Sequence, residues 1–491
     1  MGKVANQSFQ TAIFSYVGVV IGYINVLWLY PYALEAAQLG TFRTIQDLAL
    51  LIVPFAQLGL GHGITRYFPK LEKGQTAFLS FSLLIALAGF LIVASLFWIF
   101  QDQIISLFAS NSPEVIQYLW IVLFITFLAL ANSILDAYSR SYLKVSIPTF
   151  FREVLLRLLT GLWILCFLAD WINFDQMMGG LILVYAIPLF GMILYLAWLK
   201  VLNVDFSWSQ FPTGFRGAFI RFSLITFLAT AASTLIMKID SIMVSSMISL
   251  EANAIYTIAF SMALVIEMPR RAISQVIMPV IAKHFSENKT SEINQLYKQV
   301  SHRQLYLCLL IFIGIWINID SIYYLIPNRT IYESGKWVVF WIGLGKVIDA
   351  GFSANSEVLV FSKYYKFNLT ATVIMSGMII LLNYLLIPIY GIEGAAIASA
   401  LVMLAFNFTK FLYLKIRLGF SPFGLESLKI IGLGIIAIVL VDFIPETENP
   451  ILNLLIKSGL IILIYFLAAK IGFSGKEELN WISKKLKKPG P

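Results

Sequence analysis

The segment TAFLSFSLLIALAGFLIVASLFWIF, residues 76–100, decides the fold class because it contains no charged residue over its whole length. About 20 apolar residues in a helix, at a rise of about 1.5 Å each, cross the hydrocarbon core of a bilayer. About fourteen such stretches fill nearly the whole chain. The chain has 491 residues, of which 59% are hydrophobic and only 12% are charged. We therefore expect an all-α polytopic membrane protein.

The charges are arranged as the topology rule for membrane proteins predicts. We expect spans near residues 8–32, 44–66, 76–100, 114–138, 148–169, 178–199, 217–240, 253–281, 303–326, 336–360, 368–388, 394–415, 428–444 and 451–471. If the N-terminus lies inside, most of the 35 Lys and Arg residues fall on the cytoplasmic side, as the rule requires. The pattern thus predicts cytoplasmic N- and C-termini.

A weak internal repeat predicts the domain organisation. Leu34-Glu35-Ala36 precedes the second span, and Leu250-Glu251-Ala252 precedes the eighth. A glycine pair at Gly179-Gly180 similarly opens the sixth span, and Gly391 to Gly394 opens the twelfth. Six helices per unit place the two halves in the same orientation, related by an axis along the membrane normal. We predict an N-lobe at 1–210, a C-lobe at 211–420, two further helices at 421–475 and a basic cytoplasmic tail at 476–491.

Several classes of function are disfavoured by what the sequence lacks. No glycine-rich phosphate loop with a lysine is present, and the three histidines are isolated. No Cys/His cluster has the spacing of a metal site, and Cys166 and Cys308 each lie within an apolar span. The net charge of +9 is spread over many loops, which does not suit nucleic acid. We expect no catalytic residue, metal or cofactor, and we interpret Gly59 to Gly63 as a tight helix contact.

Three segments of the chain resemble signatures of the polysaccharide-biosynthesis (O-antigen oligosaccharide flippase) family, within the multidrug/oligosaccharidyl-lipid/polysaccharide (MOP) exporter superfamily. The first two are LGLG at 58–61 followed by RYFP at 66–69, and KID at 238–240 followed by AIY at 254–256 and PVIA at 279–282. The third is YGIEGAAIA at 390–398. Their order and spacing extend over the whole chain.

This resemblance implies both a fold and a function. The fold would be two six-helix lobes around a central cavity that opens alternately to each face, like the multidrug (MATE) transporters. The function would be a flippase in the bacterial inner membrane. It would carry a polyprenyl (undecaprenyl-type) pyrophosphate-linked oligosaccharide to the outer leaflet for polysaccharide or O-antigen export. Basic cavity residues would hold the pyrophosphate. Membrane lipids and other polysaccharide-assembly proteins are the expected partners, and no nucleic acid is expected.

Ionisable residues inside spans are the candidate site residues, because charge is costly in a bilayer. In helix 10, Lys346 lies near the predicted midplane, and Asp349 is one turn further on the same face. The pair can be structural, or it can contact substrate or a coupling ion. In helix 8, Glu267 and Pro269 precede Arg270 and Arg271; the proline predicts a bend. The two arginines point in different directions, and they either bind pyrophosphate or reach the interface beside Glu267.

Four weaker groups complete the set. Arg152 and Arg157 on helix 5 are five residues apart, which on an α-helix is not one face, and they are equally explained as a topology signal. Arg66 is either a cavity cation or an interfacial anchor. Asp240 is a coupling candidate that points away from Lys238, while Asp47 can simply cap or solvate a helix end.

Two other functions stay open from the sequence. A drug/cation antiporter of the MATE type would be expected to have twelve helices and an acidic, aromatic pocket. A membrane glycosyltransferase or polymerase usually needs a sizeable outer loop, whereas the predicted outer loops are short. The identity of the glycan, the coupling ion and the oligomeric state do not follow from the sequence.

Overall fold

The structure, a computed structural model, describes residues 2–203 and 205–473, and every regular element in those ranges is helical. The contacts divide the chain into two compact units, the first ending at Thr257 and the second beginning at Ile258. The fold class predicted from the sequence, an all-α polytopic membrane protein, is confirmed.

The first unit consists of eleven helices and the start of a twelfth. Their bounds are α1 Gly2–Ile24, α2 Tyr30–Ala33, α3 Ala36–Gln57, α4 Leu60–Tyr67, α5 Gln75–Ile99, α6 Gln101–Ala109, α7 Leu119–Ser141, α8 Ser146–Thr149, α9 Leu156–Leu168, α10 Phe174–Trp198, α11 Phe215–Met247 and α12 Leu250–Leu264. Two π-helical segments, Asn25–Leu29 and Phe150–Leu155, join α1 to α2 and α8 to α9.

Helix α3 is the centre of the first unit, since it packs against α5, α7 and α11. Buried polar side chains hold this contact together: Thr44 Oγ1 lies 2.6 Å from Ser245 Oγ, and Asn253 Nδ2 donates to Thr44 Oγ1 at 2.9 Å. In a bilayer, hydrogen bonds of this kind replace the hydrophobic effect as the specific link between helices. The contact therefore fixes the register of α3 against α11.

Glycines allow α4 to approach α11 closely. Gly59 has a φ of +72°, and a β-carbon there would overlap the carbonyl oxygen of Ser223. A β-carbon at Gly63 would lie 2.7 Å from the ring of Phe219. The interpretation of this glycine-rich segment as a tight helix contact is confirmed.

The second unit contains the end of α12 and nine further helices. These are α13 Met268–Ser286, α14 Thr290–Ile317, α15 Ile319–Tyr324, α16 Arg329–Tyr332, α17 Lys336–Phe352, α18 Asn355–Phe361, α19 Tyr365–Leu418, α20 Leu425–Asp442 and α21 Pro450–Lys470. Helix α17 packs against α14 and α19, so it is buried on two sides.

Helix α19 is two crossings joined at a single residue. Gly391 has a φ of +59° and a ψ of −138°, a strained conformation that strongly favours glycine. A β-carbon added at Gly394 would overlap the carbonyl oxygen of Leu386. In a straight helix, Leu386 and Gly394 would lie about 12 Å apart because eight residues separate them. Their contact therefore shows that the chain reverses direction here. The two spans predicted at 368–388 and 394–415 lie on either side of this reversal.

All of the predicted spans fall on helices. Ten helices of the described chain are long and apolar enough to cross a membrane, or eleven if the bent pair Arg329–Phe352 and Asn355–Phe361 is one span. The α19 reversal places two predicted spans in one of these ten. The spans predicted at 148–169 and 428–444 fall on helices outside that set, one interrupted by the π-helix and the other the charged α20.

The predicted lobes remain a prediction. Contacts place residues 211–257 in the first unit, because α11 packs against α3 and α4. The two further helices predicted at 421–475 are α20 and α21, which pack against each other and on α14. The predicted basic tail at 476–491 lies outside the described residues.

Candidate functional site

A buried cluster of charges in the second unit contains the candidates from helices 8 and 10. A short 3₁₀ turn, Val265–Glu267, separates α12 from α13, and Pro269 lies in the first turn of α13. The irregularity predicted near this proline is thus present. It places Glu267 at the end of one helix segment and the two arginines at the start of the next.

The ion pairs in this cluster run between helices. Lys346 Nζ lies 2.6 Å from Glu267 Oε2, and Arg270 Nε lies 2.9 Å from Asp349 Oδ2. The direct Lys346–Asp349 pair that their spacing suggested is replaced by these two crossed pairs. The exposed fractions of the side chains are only 6% for Lys346 and 11% for Asp349. Because a buried charge needs a close partner, the crossed pairs tie α17 to the Glu267–Arg270 segment.

The two adjacent arginines diverge, as predicted. Arg270 is 16% exposed and pairs with Asp349, whereas Arg271 is 57% exposed and its Nε lies 2.9 Å from Glu267 Oε1. Glu267 therefore forms ion pairs with both Lys346 and Arg271. Of the three cations that the sequence favoured most, only Arg271 presents its guanidinium largely to the surroundings. A guanidinium in this setting can exchange its carboxylate partner for a phosphate.

A chain of polar side chains extends the cluster in a direction that the sequence did not indicate. Asn407 Nδ2 donates to Asp349 Oδ1 at 2.9 Å, and Asn355 Nδ2 donates to Asn407 Oδ1 at 2.8 Å. Next to Asn355, Ser356 Oγ accepts from Lys410 Nζ at 2.7 Å. The topology rule assigns Lys410 to the predicted cytoplasmic end of its span, but its side chain is buried two turns before the end of α19. The sequence pattern that could have indicated this chain is the pair Asn407 and Lys410, which are three residues apart on one face of a helix.

In the first unit, the buried Asp47 and the partly exposed Lys238 form a second group. Lys238 Nζ lies 2.5 Å from Asp47 Oδ1, and Arg43 precedes Asp47 by one turn on α3. Arg43 acts on Asp47 through its charge, and its Nε has no hydrogen-bond partner. Asp47 therefore binds a neighbouring helix and does not cap its own. Asp240 points elsewhere, as predicted, and accepts from the hydroxyl of Tyr256 at 2.8 Å.

A third group joins α7 to the π-helical segment Phe150–Leu155. Asp136 accepts from Arg140 at 2.8 Å and from Arg152 at 2.7 Å. Glu153 then pairs with Arg152 at 3.1 Å and with Arg157 at 3.0 Å. Arg152 reaches Glu153 as its chain neighbour, and Arg157 reaches it from four residues further along the helix. That the two arginines do not share a face stays a prediction.

Arg66 stands apart from all three groups. Its guanidinium carbon lies 4.2 Å from the ring centre of Phe222, and its side chain is exposed at the end of α4. A shallow groove of about 420 Å³ lies beside it, lined by Tyr67, Gly217, Ala218, Arg221, Phe222 and Ile225. The cation–π contact favours the interpretation of Arg66 as an anchored surface residue.

Across the described ranges, no group of three or more His, Cys, Asp and Glu residues could hold a metal ion. The chemistry available in these clusters is ion pairing and hydrogen bonding by arginine, lysine, asparagine and serine. Arginine and lysine bind anions, and of these four residue types only lysine also releases a proton.

Comparisons with known proteins give a fold and not a family. No protein-family model matches the sequence, and no curated protein matches it. Among solved structures, the lipid II flippase MurJ in an inward closed conformation is similar at a TM-score of 0.76 and 16% identity, covering 96% of this chain and 99% of MurJ.

Transporters of the MOP superfamily are similar over less of the chain. An inward-facing multidrug resistance MATE transporter has a TM-score of 0.64 at 14% identity, covering 84% of this chain and 94% of that one. A MOP superfamily transporter from Pyrococcus furiosus, whose binding pocket is described as having reversed polarity, has a TM-score of 0.58 at 15% identity. It covers 85% of this chain and 95% of that one. This chain thus has the polytopic helical fold that the MurJ flippase and the MATE transporters share.

Proposed function

We propose that this protein is a flippase that moves a polyprenyl-pyrophosphate-linked oligosaccharide across the bacterial inner membrane by alternating access, for polysaccharide or O-antigen export. The observation that supports it most is the extent of the MurJ likeness. That likeness covers 96% of this chain, against 84% for the multidrug transporter. Lipid II is the cargo named for MurJ.

The charged clusters suit an anionic head group. Arg271 is half exposed and shares Glu267 with Lys346, so it can release that carboxylate without leaving Glu267 unpaired. A guanidinium binds a pyrophosphate through two parallel hydrogen bonds. We assign Arg271 the direct contact, and we assign Arg270 and Lys346 the task of holding the α13 and α17 segments in place. Arg152 and Arg157 are a second candidate contact, because both flank Glu153.

Membrane potential can contribute to the driving force, because one charge crossing 100 mV exchanges about 2.3 kcal/mol. In this proposal the coupling candidates are Asp47, Asp240, Glu267 and Asp349. The N- and C-termini are cytoplasmic, and the partners are the lipid-linked oligosaccharide, membrane lipids and polysaccharide-assembly proteins.

Leaflet-resolved accessibility of a lipid-linked glycan in proteoliposomes tests the proposal. Purified protein should make an undecaprenyl-pyrophosphate oligosaccharide in the inner leaflet accessible to a glycan-specific lectin outside. Arg271→Ala should lower this rate by about tenfold or more, which corresponds to the loss of about 1.4 kcal/mol of interaction.

Arg329→Ala is the matched control. Arg329 pairs with Glu333 four residues away and is 48% exposed, so it resembles Arg271 in exposure and in the spacing of its partner but lies outside the cluster. Its loss should leave the flipping rate unchanged. No change in accessibility with any lipid-linked glycan would refute the flippase, and export of an organic cation by the same vesicles would favour the antiporter.

A further inference from the structure

Lys410 is the buried cation that the proposed substrate contact does not use. It lies on α19 and is 1% exposed, so it is closed off from solvent and from a head group in this conformation. Its Nζ donates to Ser356 Oγ at 2.7 Å and lies 3.5 Å from the ring centre of Phe406. No carboxylate of the described chain lies within ion-pair distance of it.

The other charges of the second-unit cluster are matched in pairs. Lys346 holds Glu267 and Arg270 holds Asp349, each at 2.9 Å or less. Asp349 and Glu357 favour a charged Lys410 from a distance, while Arg270 opposes it. Glu357 itself has a buried oxygen without a hydrogen-bond partner. Burial disfavours an ammonium that has no carboxylate partner, and releasing its proton removes that cost.

Lys410 differs from the other cations of this cluster because no carboxylate among the described residues pairs with it. Arginine does not lose its proton in proteins, and Lys346 pairs with Glu267 at 2.6 Å. The Ser356 hydroxyl fits both forms of Lys410, because it accepts from the ammonium and can turn to donate to the neutral amine. When it accepts from Lys410, its own hydrogen points toward Asn355 Oδ1 at 3.4 Å.

We propose that Lys410 is a proton-binding site that couples flipping to a pH gradient. In each cycle its –NH₃⁺ group gives one proton to water on one side and becomes –NH₂, and it takes one proton back from the other side. The hydrogen-bond chain Ser356, Asn355, Asn407, Asp349 connects this change to Arg270 on α13. The role in coupling rests on the proposed flippase function, but the proton site itself does not.

Proton binding is measured first on the purified protein, without any lipid substrate. An ordinary lysine is fully protonated below about pH 9. The difference in bound protons between the wild type and Lys410→Met, titrated downward from that pH, should therefore approach one. A difference of zero overturns the proposal. Ser356→Ala should shift the pH at which the proton is taken up. This variant is the second test if Lys410→Met does not fold.

Flipping under an imposed gradient is the second measurement. A one-unit pH gradient should shift the final distribution of flipped lipid by up to about tenfold for one proton per cycle. Lys410→Met should still flip lipid but should lose this response, and Lys410→Arg, always charged, should lose it as well. Lys457→Met is the control. It removes a lysine that pairs with Glu446, and this variant should keep the response to the pH gradient.

The outcomes separate the two proposals. If the wild type flips lipid and Lys410→Met responds to the gradient equally, the coupling role is refuted while the flippase stands. If no protein flips lipid, the flippase fails, and the proton titration still decides whether Lys410 binds and releases a proton.

Discussion

Two crossed ion pairs hold the segment Glu267–Arg270 against α17. Because both pairs are buried, breaking either of them should cost more stability than breaking an exposed pair. An exposed ion pair contributes about 0–1 kcal/mol to stability, whereas removing one partner of a buried pair costs about 3–5 kcal/mol. Lys346 and Glu267 are 6% and 11% exposed. The cost arises because the remaining charge has neither water nor a partner.

We expect Lys346→Met to lower the free energy of unfolding by about 3 kcal/mol, because Glu267 then keeps only the half-exposed Arg271. The double variant Glu267→Gln/Lys346→Met should lose less than the sum of the single variants, with a coupling of about 1–3 kcal/mol. Unfolding in detergent, followed by circular dichroism, measures all three.

Lys336→Met provides the comparison. Lys336 pairs with Asp320, whose side chain is 76% exposed, so its loss should cost about 1 kcal/mol or less. Strict additivity of the two single variants at Glu267 and Lys346 would show that the pair is not coupled.

The sequence identified these residues but not their partners. Spacing along one helix predicted that Arg270 and Arg271 diverge, and they do. It also paired Lys346 with Asp349, because spacing shows only neighbours on the same helix. The actual partners come from another helix, and no local pattern contains that information. Lys410 was missed for a related reason: the topology rule explains a lysine near a helix end equally well whether it is exposed or buried.

At the scale of the helices, the close contact between α4 and α11 is one that the sequence predicted. Glycine is required at position 59 for two reasons. Its φ is positive, and the carbonyl oxygen of Ser223 occupies the space that a β-carbon would need. Gly59→Ala should cost about 1–2 kcal/mol for the left-handed backbone and about 1–3 kcal/mol for the overlap. The thermal midpoint in detergent measures the sum.

Gly214→Ala isolates the first of these costs. Gly214 has a φ of +78° but no atom within 4 Å of an added β-carbon. It should therefore lose only the backbone part. Equal losses at the two glycines would show that α4 and α11 do not depend on this close approach.

The π-helical segment at Phe150–Leu155 shows what helix-level prediction lacks. Apolar periodicity located this helix correctly, but it assumes one helical geometry throughout. The backbone hydrogen-bond pattern changes over Phe150–Leu155, where Arg152 and, just beyond, Arg157 both pair with Glu153. Local backbone irregularities depend on tertiary contacts, here with α7 and α1, and the sequence pattern averages over them.

At the scale of the whole molecule, hydropathy predicted the fold class and the helices, because every backbone group in a bilayer must be bonded within its own segment. The boundary between the lobes is harder to predict from the sequence. The weak repeat divides the chain by helix number, whereas the compact units reflect which helices touch. Which face of the membrane each loop occupies stays a prediction from the distribution of lysine and arginine.

Cysteine labelling tests this topology in intact cells. In a variant that lacks Cys166 and Cys308, Asp102→Cys should react with a membrane-impermeant maleimide, because Asp102 is predicted to lie outside. Lys289→Cys should react only after the membrane is permeabilised. Both positions are exposed, so accessibility within the protein is matched. Labelling of Lys289→Cys in intact cells would invert the predicted orientation.

The reversal at Gly391 limits how the length of this chain can change during evolution. Between α20 and α21, residues 443–449 form a connection that can gain or lose residues without disturbing either helix. Between the two crossings of α19, a single glycine makes the turn, and Gly394 rests on Leu386. An inserted residue there would rotate the second crossing about its axis and carry Asn407 and Lys410 away from α17 and α18. We therefore expect related sequences to vary freely in length at the first connection and to keep a fixed count at the second.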